Sequence, residues 1–323
     1  MRAAIYESFG DPADVLRVVD RPLPEPGAGQ ARVRMTRAAI HNHDLWMIRG
    51  SYGQRPPLPA LGGSEAAGVV DAVGEGVTNV KVGDRVAGFA AGTWCEHFVT
   101  AAMGLVPLPD RISDDAGCQL VAMPLSAMAL LDSYGVEPPD FIAQNAANGA
   151  VGKTLARLAK ARGKNVLHLV RSDDAVAELA KQGITGAVAT SHPEWRKRVK
   201  EIVGEGKIRA AIDSVGGHAS GDICSLLAPG GKLVAFGSMS GEPMQLDSGP
   251  FIFKQVVLEG FWLSKQNAVP PEKFRVMVGE LIKLVAEGVL DLPVARVFPL
   301  EHAREAVVAS ASASRGGKVL FSP

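Results

Sequence analysis

The rhythm of hydrophobic and polar positions changes part-way along the chain. Up to about Gln119 the apolar runs are short and mixed with polar residues, as in Ala31-Arg32-Val33-Arg34-Met35 and Gly68-Val69-Val70-Asp71-Ala72-Val73. Breaks such as Pro22-Leu23-Pro24-Glu25-Pro26-Gly27 and Arg55-Pro56-Pro57 separate them. Short β-like runs cut by turn residues predict an irregular, mostly β domain. Beyond Gln119, apolar strand candidates at 141–144, 166–170, 187–189, 210–213 and 232–236 alternate with helical stretches, and 256–260 fits as a sixth. That layout predicts a parallel sheet covered on both faces. A helix opened by Pro271 follows, with Phe274, Met277, Val278, Leu281 and Val285 on one face. A strand near 294–298, a helix near Glu301 and a last strand at 318–321 do not extend the sheet and are expected to return to the first domain. The division is therefore 1–118 with 264–323 as one domain and 119–263 as the other.

The most informative run is Gln144-Asn145-Ala146-Ala147-Asn148-Gly149-Ala150-Val151-Gly152. It lies between a short strand and a helix marked by Val151, Leu155, Leu158 and Ala159. Ala147, Gly149 and Gly152 fill the positions of a G-x-G-x-x-G fingerprint, which lets backbone amides at a helix N-terminus approach a pyrophosphate. Asn145, Asn148, Ala150 and Val151 belong to the same turn. The second strand ends at Arg171-Ser172, where a dinucleotide fold usually carries an acid for the ribose 2′-hydroxyl. An acid would repel a 2′-phosphate, whereas a guanidinium bonds it, so the expected cofactor is NADPH.

Composition narrows the class. The 323 residues suffice for two cores, and 47% hydrophobic content suits a globular protein. The 34 basic and 34 acidic residues cancel, which gives no overall field for nucleic acid or anionic membrane. No apolar stretch is long enough to span a bilayer, and Met1-Arg2-Ala3-Ala4-Ile5-Tyr6-Glu7 lacks the features of a signal peptide, so a cytoplasmic location is expected. Cys95, Cys118 and Cys224 are too few and too scattered for a cysteine-rich zinc lobe.

Four segments together resemble the medium-chain dehydrogenase/reductase superfamily: Gly62-Gly63-Ser64-Glu65-Ala66-Ala67-Gly68-Val69-Val70, Val82-Gly83-Asp84-Arg85-Val86, the nucleotide turn, and Leu227-Ala228-Pro229-Gly230-Gly231-Lys232-Leu233-Val234. The resemblance covers nearly the whole chain. It implies an α/β protein with a GroES-like β-barrel catalytic domain, a Rossmann doubly wound parallel sheet for the cofactor, and an active cleft between them. It also implies a homodimer joined through the strand at 256–260. Where the zinc-dependent members carry their ligands, this chain has His41, Ser64 and Ala122 or Met123. That set falls short of three protein ligands, so no metal is expected; His41, His43 and Glu65 are the alternative metal set.

The zinc-free branches are the quinone oxidoreductases and the 2-enoyl thioester reductases. The Gln144-Asn145 start, Val170-Arg171, Phe251-Ile252-Phe253-Lys254 and Gly260-Phe261-Trp262-Leu263 are similar to segments of the second, although Gly149 stands where that branch has serine and Asp173 where it often has a basic residue. Tyr52, in Arg49-Gly50-Ser51-Tyr52-Gly53, matches the tyrosine that enoyl thioester reductases use as proton donor or substrate orienter. A tyrosine with a pKa of about 10 stays protonated at neutral pH and can donate to an enolate. His41 is the second catalytic candidate. Phe236, Gly237, Phe261 and Trp262 are assigned to the cofactor and substrate side, Lys318 to a phosphate, and Lys254 and Lys265 are further phosphate candidates. The expected activity is metal-free hydride transfer from NADPH to an activated alkene. Quinone reduction, a zinc-type alcohol dehydrogenase and a non-catalytic NADPH-binding protein are the alternatives.

Overall fold

The computed structural model describes residues 1–263, 271–312 and 316–323. Lys265 lies outside them. Two compact units emerge, one from Met1–Ala122 with Val278–Pro323 and one from Met123–Met277.

In the first unit the strands are β1 (Arg2–Tyr6), β2 (Arg17–Asp20), β3 (Gln30–Ala39), β4 (Ala60–Leu61), β5 (Glu65–Val73), β6 (Arg85–Phe89), β7 (His97–Ala101) and β8 (Leu105–Pro107). The second unit carries β9 (Phe141–Gln144), β10 (Asn165–Val170), β11 (Ala187–Ala189), β12 (Ile208–Asp213), β13 (Lys232–Ala235) and β14 (Val257–Gly260). The chain returns to the first unit with β15 (Val294–Pro299) and β16 (Lys318–Ser322).

Among the described residues, a small sheet runs β2-β1-β4, and a larger one runs β15-β16-β3-β5-β6-β8 with β7 also paired to β3. Strand β3 is longer than its five-residue apolar core suggests, because the alternation continues through Thr36-Arg37-Ala38-Ala39 across two register shifts against β5. Val33, Met35, Ala66, Val70, Val86, Trp94, Phe98 and Phe321 form part of one buried core there. The C-terminal strand is locked into it, since β16 pairs antiparallel with β3 and parallel with β15.

The sequence reading placed no helix at 42–49. The helix Asn42–Arg49 interrupts the β unit directly after β3. His41 is its N-cap, the Asp44 carboxylate accepts from the His41 backbone N–H at 2.8 Å, and Leu45 and Ile48 bury one face. Gly50 ends it with φ of 73°, a left-handed value that glycine adopts without strain.

The second unit is an all-parallel sheet in the order β11-β10-β9-β12-β13-β14. The connection reverses direction between β9 and β12, and in such sheets the crevice beyond the strand C-termini at that point receives the ligand. The helix Ala150–Ala161 packs its Leu155, Leu158 and Ala159 against the sheet. Each buried leucine contributes about 1.5–3 kcal/mol relative to exposure.

Candidate active site

Two groups of chemistry-bearing residues stand out, one in each unit. In the first unit, β3 and β5 bring His41 and Glu65 together: His41 Nε2 lies 2.8 Å from Glu65 Oε2, and both side chains are wholly buried. The other Glu65 oxygen accepts from the backbone N–H of Val121. Glu65 is reached through Gly63-Ser64, and Gly63 is obligatory there: its φ is 91° and a Cβ would fall 2.2 Å from the Trp94 indole.

His43, on the first turn of the short helix, stacks on His41 with ring centroids 5.1 Å apart and planes 10° from parallel. Its Nε2 lies 2.7 Å from Ser64 Oγ. The left-handed Gly50 then turns the chain so that the half-buried Tyr52 ring stands 5.8 Å from that of His43, with Phe89 at 6.1 Å on another side. Burial pushes Glu65 up to about 8, partly countered by the N–H groups of Val121 and Ala122. Burial pulls His41 well below its ordinary range, and nearby Lys318 and His43 pull in the same direction. Burial likewise lowers His43, against the opposing charge of Asp44. At pH 7 the cluster therefore favours two neutral imidazoles beside a protonated carboxyl.

This geometry revises two sequence expectations. His41 is wholly buried beneath His43, with its Nε2 turned to Glu65, which is the place of a supporting residue. Lys318 is buried in the first unit, where its ammonium donates to the Ile40 carbonyl at 3.3 Å; it acts on the His41 cluster through its charge. The alternative metal set, His41, His43 and Glu65, is not arranged as a ligand group. The Nε2 atoms of His41 and His43 face Glu65 and Ser64, and no group of three His, Cys, Asp or Glu side chains among the described residues could hold a metal ion.

In the second unit, Asn148, Gly149 and Ala150 are exposed at the N-terminus of the twelve-residue helix, with Val151 half-buried behind them and Ala147 buried beneath. The first amides of a helix have no intrahelical partner and favour an anion. Gly152 is sterically required, since a Cβ would lie 2.7 Å from both the Cα and the carbonyl oxygen of Ala147. Arg171 and Ser172 are exposed at the end of β10, and Ser172 caps the next helix by accepting from Ala175 N–H. Asp173, where the sequence lacked a basic residue, lies 3.6 Å from Arg198 of a later helix. These groups fit a dinucleotide whose adenosine carries a further phosphate.

Asn145 has a different role from the ligand contact expected of it. Its amide donates to Asp213 Oδ1 at 2.6 Å and its oxygen accepts from Ser214 N–H at 2.7 Å, tying the end of β9 to the end of β12. Asp213 also accepts from the N–H groups of Val215 and Gly216 and from the Ser220 hydroxyl. Sequence reading missed Asp213; its signal was a carboxylate closing an apolar strand just before Gly216-Gly217. Phe236 and Phe261 meet edge to face at 5.8 Å, with Phe261 buried and Trp262 half-buried. Gly237 leaves room for the Ser214 carbonyl, which a Cβ would approach to 2.9 Å. Lys254 donates to the carbonyls of Ser225 and Leu227, which is a structural use.

Comparison with known proteins follows the same division. Residues 27–110 match the alcohol dehydrogenase GroES-like domain and residues 150–282 match the family described as zinc-binding dehydrogenase. The chain is 34% identical over 312 residues to the mitochondrial enoyl-[acyl-carrier-protein] reductase of Bos taurus, covering 93% of this chain and 83% of that protein. Among solved structures, the Escherichia coli quinone oxidoreductase complexed with NADPH superposes with a TM-score of 0.90 at 28% identity, covering all of both chains. The Pseudomonas syringae quinone oxidoreductase gives 0.89 at 28% identity, covering 100% of this chain and 99% of that one.

Proposed function

Because the chain belongs to the medium-chain dehydrogenase/reductase superfamily, we propose that it is an NADPH-dependent reductase of activated carbon–carbon double bonds, acting on a 2-enoyl thioester or an enone. The observation that carries this reading is the placement of Tyr52 beside His43, above a cluster that is neutral at pH 7 and unsuited to zinc. Activation of the acceptor then falls to hydrogen bonding and proton donation.

NADPH, when bound, supplies two electrons and one hydrogen as hydride to the acceptor β-carbon. The amides of Asn148, Gly149 and Ala150 would hold the pyrophosphate, and Arg171 with Ser172 would hold the 2′-phosphate. Phe261 and Trp262 support the ring side of the site. Tyr52 donates to the carbonyl oxygen, where charge collects as the β-carbon gains hydride, and assists protonation of the α-carbon. His41 and Glu65 fix the floor beneath His43. The double bond is lost, one hydrogen is added at each carbon, and a saturated product leaves.

Steady-state NADPH oxidation with crotonyl thioester, a simple enone and a quinone in parallel tests the assignment. Turnover of an alkene is expected. Turnover of the quinone alone would replace it with the second reading, quinone reduction, which the likeness to the Escherichia coli enzyme supports. Binding of NADPH without reduction of any acceptor would point to a non-catalytic role.

The assembly is a homodimer in this reading. Strand β14 is the outer edge of its sheet, and Val257, Leu258, Ile252 and Phe253 are 51%, 43%, 56% and 84% exposed. An unpaired edge flanked by exposed apolar residues calls for a cover, and a second copy of the same edge supplies one. Light scattering at micromolar concentration should return twice the chain mass; a monomer mass would remove this part. The same reading places the protein in the cytoplasm, apart from membranes and nucleic acid. No described helix is long and apolar enough to cross a membrane. Fractionation of native cells tests the location.

A further inference from the structure

Gln144 and His168 form a buried pair that neither the fingerprint nor the catalytic cluster explains. They are the paired residues of β9 and β10, so their side chains leave the sheet on the same side. Both are almost wholly buried, at 2% and 4% exposure. The Gln144 amide nitrogen lies 2.9 Å from the Gly152 carbonyl oxygen and 2.8 Å from His168 Nδ1.

Hydrogen-bond chemistry fixes the states of both groups. A carbonyl only accepts, so the atom facing Gly152 must be the glutamine NH2. Its second hydrogen then points at His168, and Nδ1 must accept it. The imidazole is thereby held neutral, with its proton on Nε2. Burial alone lowers His168 to about 4, and no charged group contributes.

Gly152 belongs to the first turn of the helix whose amides face the pyrophosphate. Tethering its carbonyl to the last residue of β9 sets how far the helix start stands from the strand end, and so the course of residues 145–149 between them. Asn145 pins the opposite side of the turn to β12. We propose that His168 and Gln144 are positioning residues for the cofactor: the imidazole orients the glutamine amide, which holds the helix N-terminus where it can bind the dinucleotide diphosphate. This rests on the NADPH assignment made above.

The test compares NADPH binding by the full chain with His168→Leu, His168→Asn, Gln144→Met and the double variant His168→Leu/Gln144→Met. Asparagine presents an oxygen close to the place of Nδ1, so it keeps the acceptor, whereas leucine and methionine remove one partner and keep bulk. His168→Leu and Gln144→Met should each weaken NADPH binding tenfold or more, and the double variant should be no weaker than either. His168→Asn should stay within threefold of the unaltered chain. Adenosine 2′-monophosphate, which uses Arg171 and lacks the diphosphate, should bind all variants alike. If His168→Leu does not fold, Gln144→Met carries the same comparison against His168→Asn. Unchanged NADPH affinity in folded His168→Leu or Gln144→Met, or equal losses for NADPH and the monophosphate, would overturn the proposal. Failure of the unaltered chain to bind NADPH would instead overturn the cofactor assignment.

Discussion

His41 Nε2 lies 2.8 Å from Glu65 Oε2 in a pocket that leaves neither side chain exposed. The pair forms the buried floor of the site beneath His43. His41 faces the Glu65 carboxyl through Nε2, and its buried Nδ1 has no hydrogen-bond partner among the described residues, so neither ring nitrogen offers an N–H to a bound acceptor. It stiffens His43 and, through it, the surroundings of Tyr52.

The pair makes stability fall on the alkaline side. Glu65 is an acid raised in the fold to about 8, so its stabilising share is full below its usual 4.5 and is lost as pH climbs through about 8. His41 is depressed in the fold, so its share is full above its usual 6.5 and is lost as pH falls. Between those ordinary values the two act in opposite directions. From about pH 6.5 to 8 only the Glu65 loss remains, about 2 kcal/mol at one proton over that span. The facing charges are Lys318, Asp44 and His43, and the Cys118 thiol, itself raised by burial, lies nearby. Thermal unfolding should shift down by several degrees across this window, and Glu65→Gln, which keeps an acceptor for Val121 and a donor for His41, should flatten the shift. Parallel curves for the two proteins would contradict the pair's neutral state.

Arg171 is exposed directly after β10. Losing a charge-assisted bond to phosphate costs about 1.5–3 kcal/mol. Arg171→Ala should weaken NADPH binding by about ten- to a hundredfold and leave NADH binding within about twofold. Titration calorimetry with both cofactors measures the ratio; equal losses would remove the 2′-phosphate contact.

Tyr52→Phe removes one hydroxyl beside the His43 ring. Proton donation contributes roughly 10²–10⁴-fold in rate, so kcat with an enoyl thioester should fall by at least about 10²-fold while the NADPH dissociation constant holds. An unchanged kcat would reduce Tyr52 to packing against His43.

Two glycines of the nucleotide turn should behave differently. A Cβ at Gly152 collides with Ala147 at 2.7 Å, while one at Gly149 meets only the Ala146 carbonyl at 3.1 Å. Gly152→Ala should displace the turn, cost about 1–3 kcal/mol of stability and weaken NADPH binding. Gly149→Ser should be tolerated. Calorimetric unfolding and cofactor titration of both variants decide this, and similar losses would contradict the close packing seen at Gly152 alone.

The cofactor half of the fold was readable because its signals are local. Strand, glycine turn, helix and Arg171 lie within one stretch of chain, and period alone separates the buried strands from their helices. The nucleotide turn also showed where reading stops: Gln144 and Asn145 were visible as a motif, but their partners His168, Gly152 and Asp213 are set by sheet order. The acceptor half was less legible. Helix Asn42–Arg49 is short, and the polar residues at its start obscure its periodicity, so neither the His41 N-cap nor the Asp44 carboxylate that reaches back to it could be recognised. His41 read as a catalytic candidate because its residue type and family position carry no information on burial; the stacking of His43 over it is a tertiary fact. Lys318 looked like a phosphate ligand for the same reason, until β16 paired with β3 and drew its ammonium to Ile40.

Hydride from NADPH is expected to reach the β-carbon of an enoyl thioester without a metal. The most direct measurement is a turnover of crotonyl thioester with NADPH carrying deuterium at the transferred C4 position, after chelator treatment, followed by mass spectrometry of the product. The expected product is a saturated butyryl thioester with one deuterium, at the β-carbon, and a solvent hydrogen at the α-carbon. An unreduced thioester, a product without deuterium, or activity lost with the chelator and restored by zinc would contradict it.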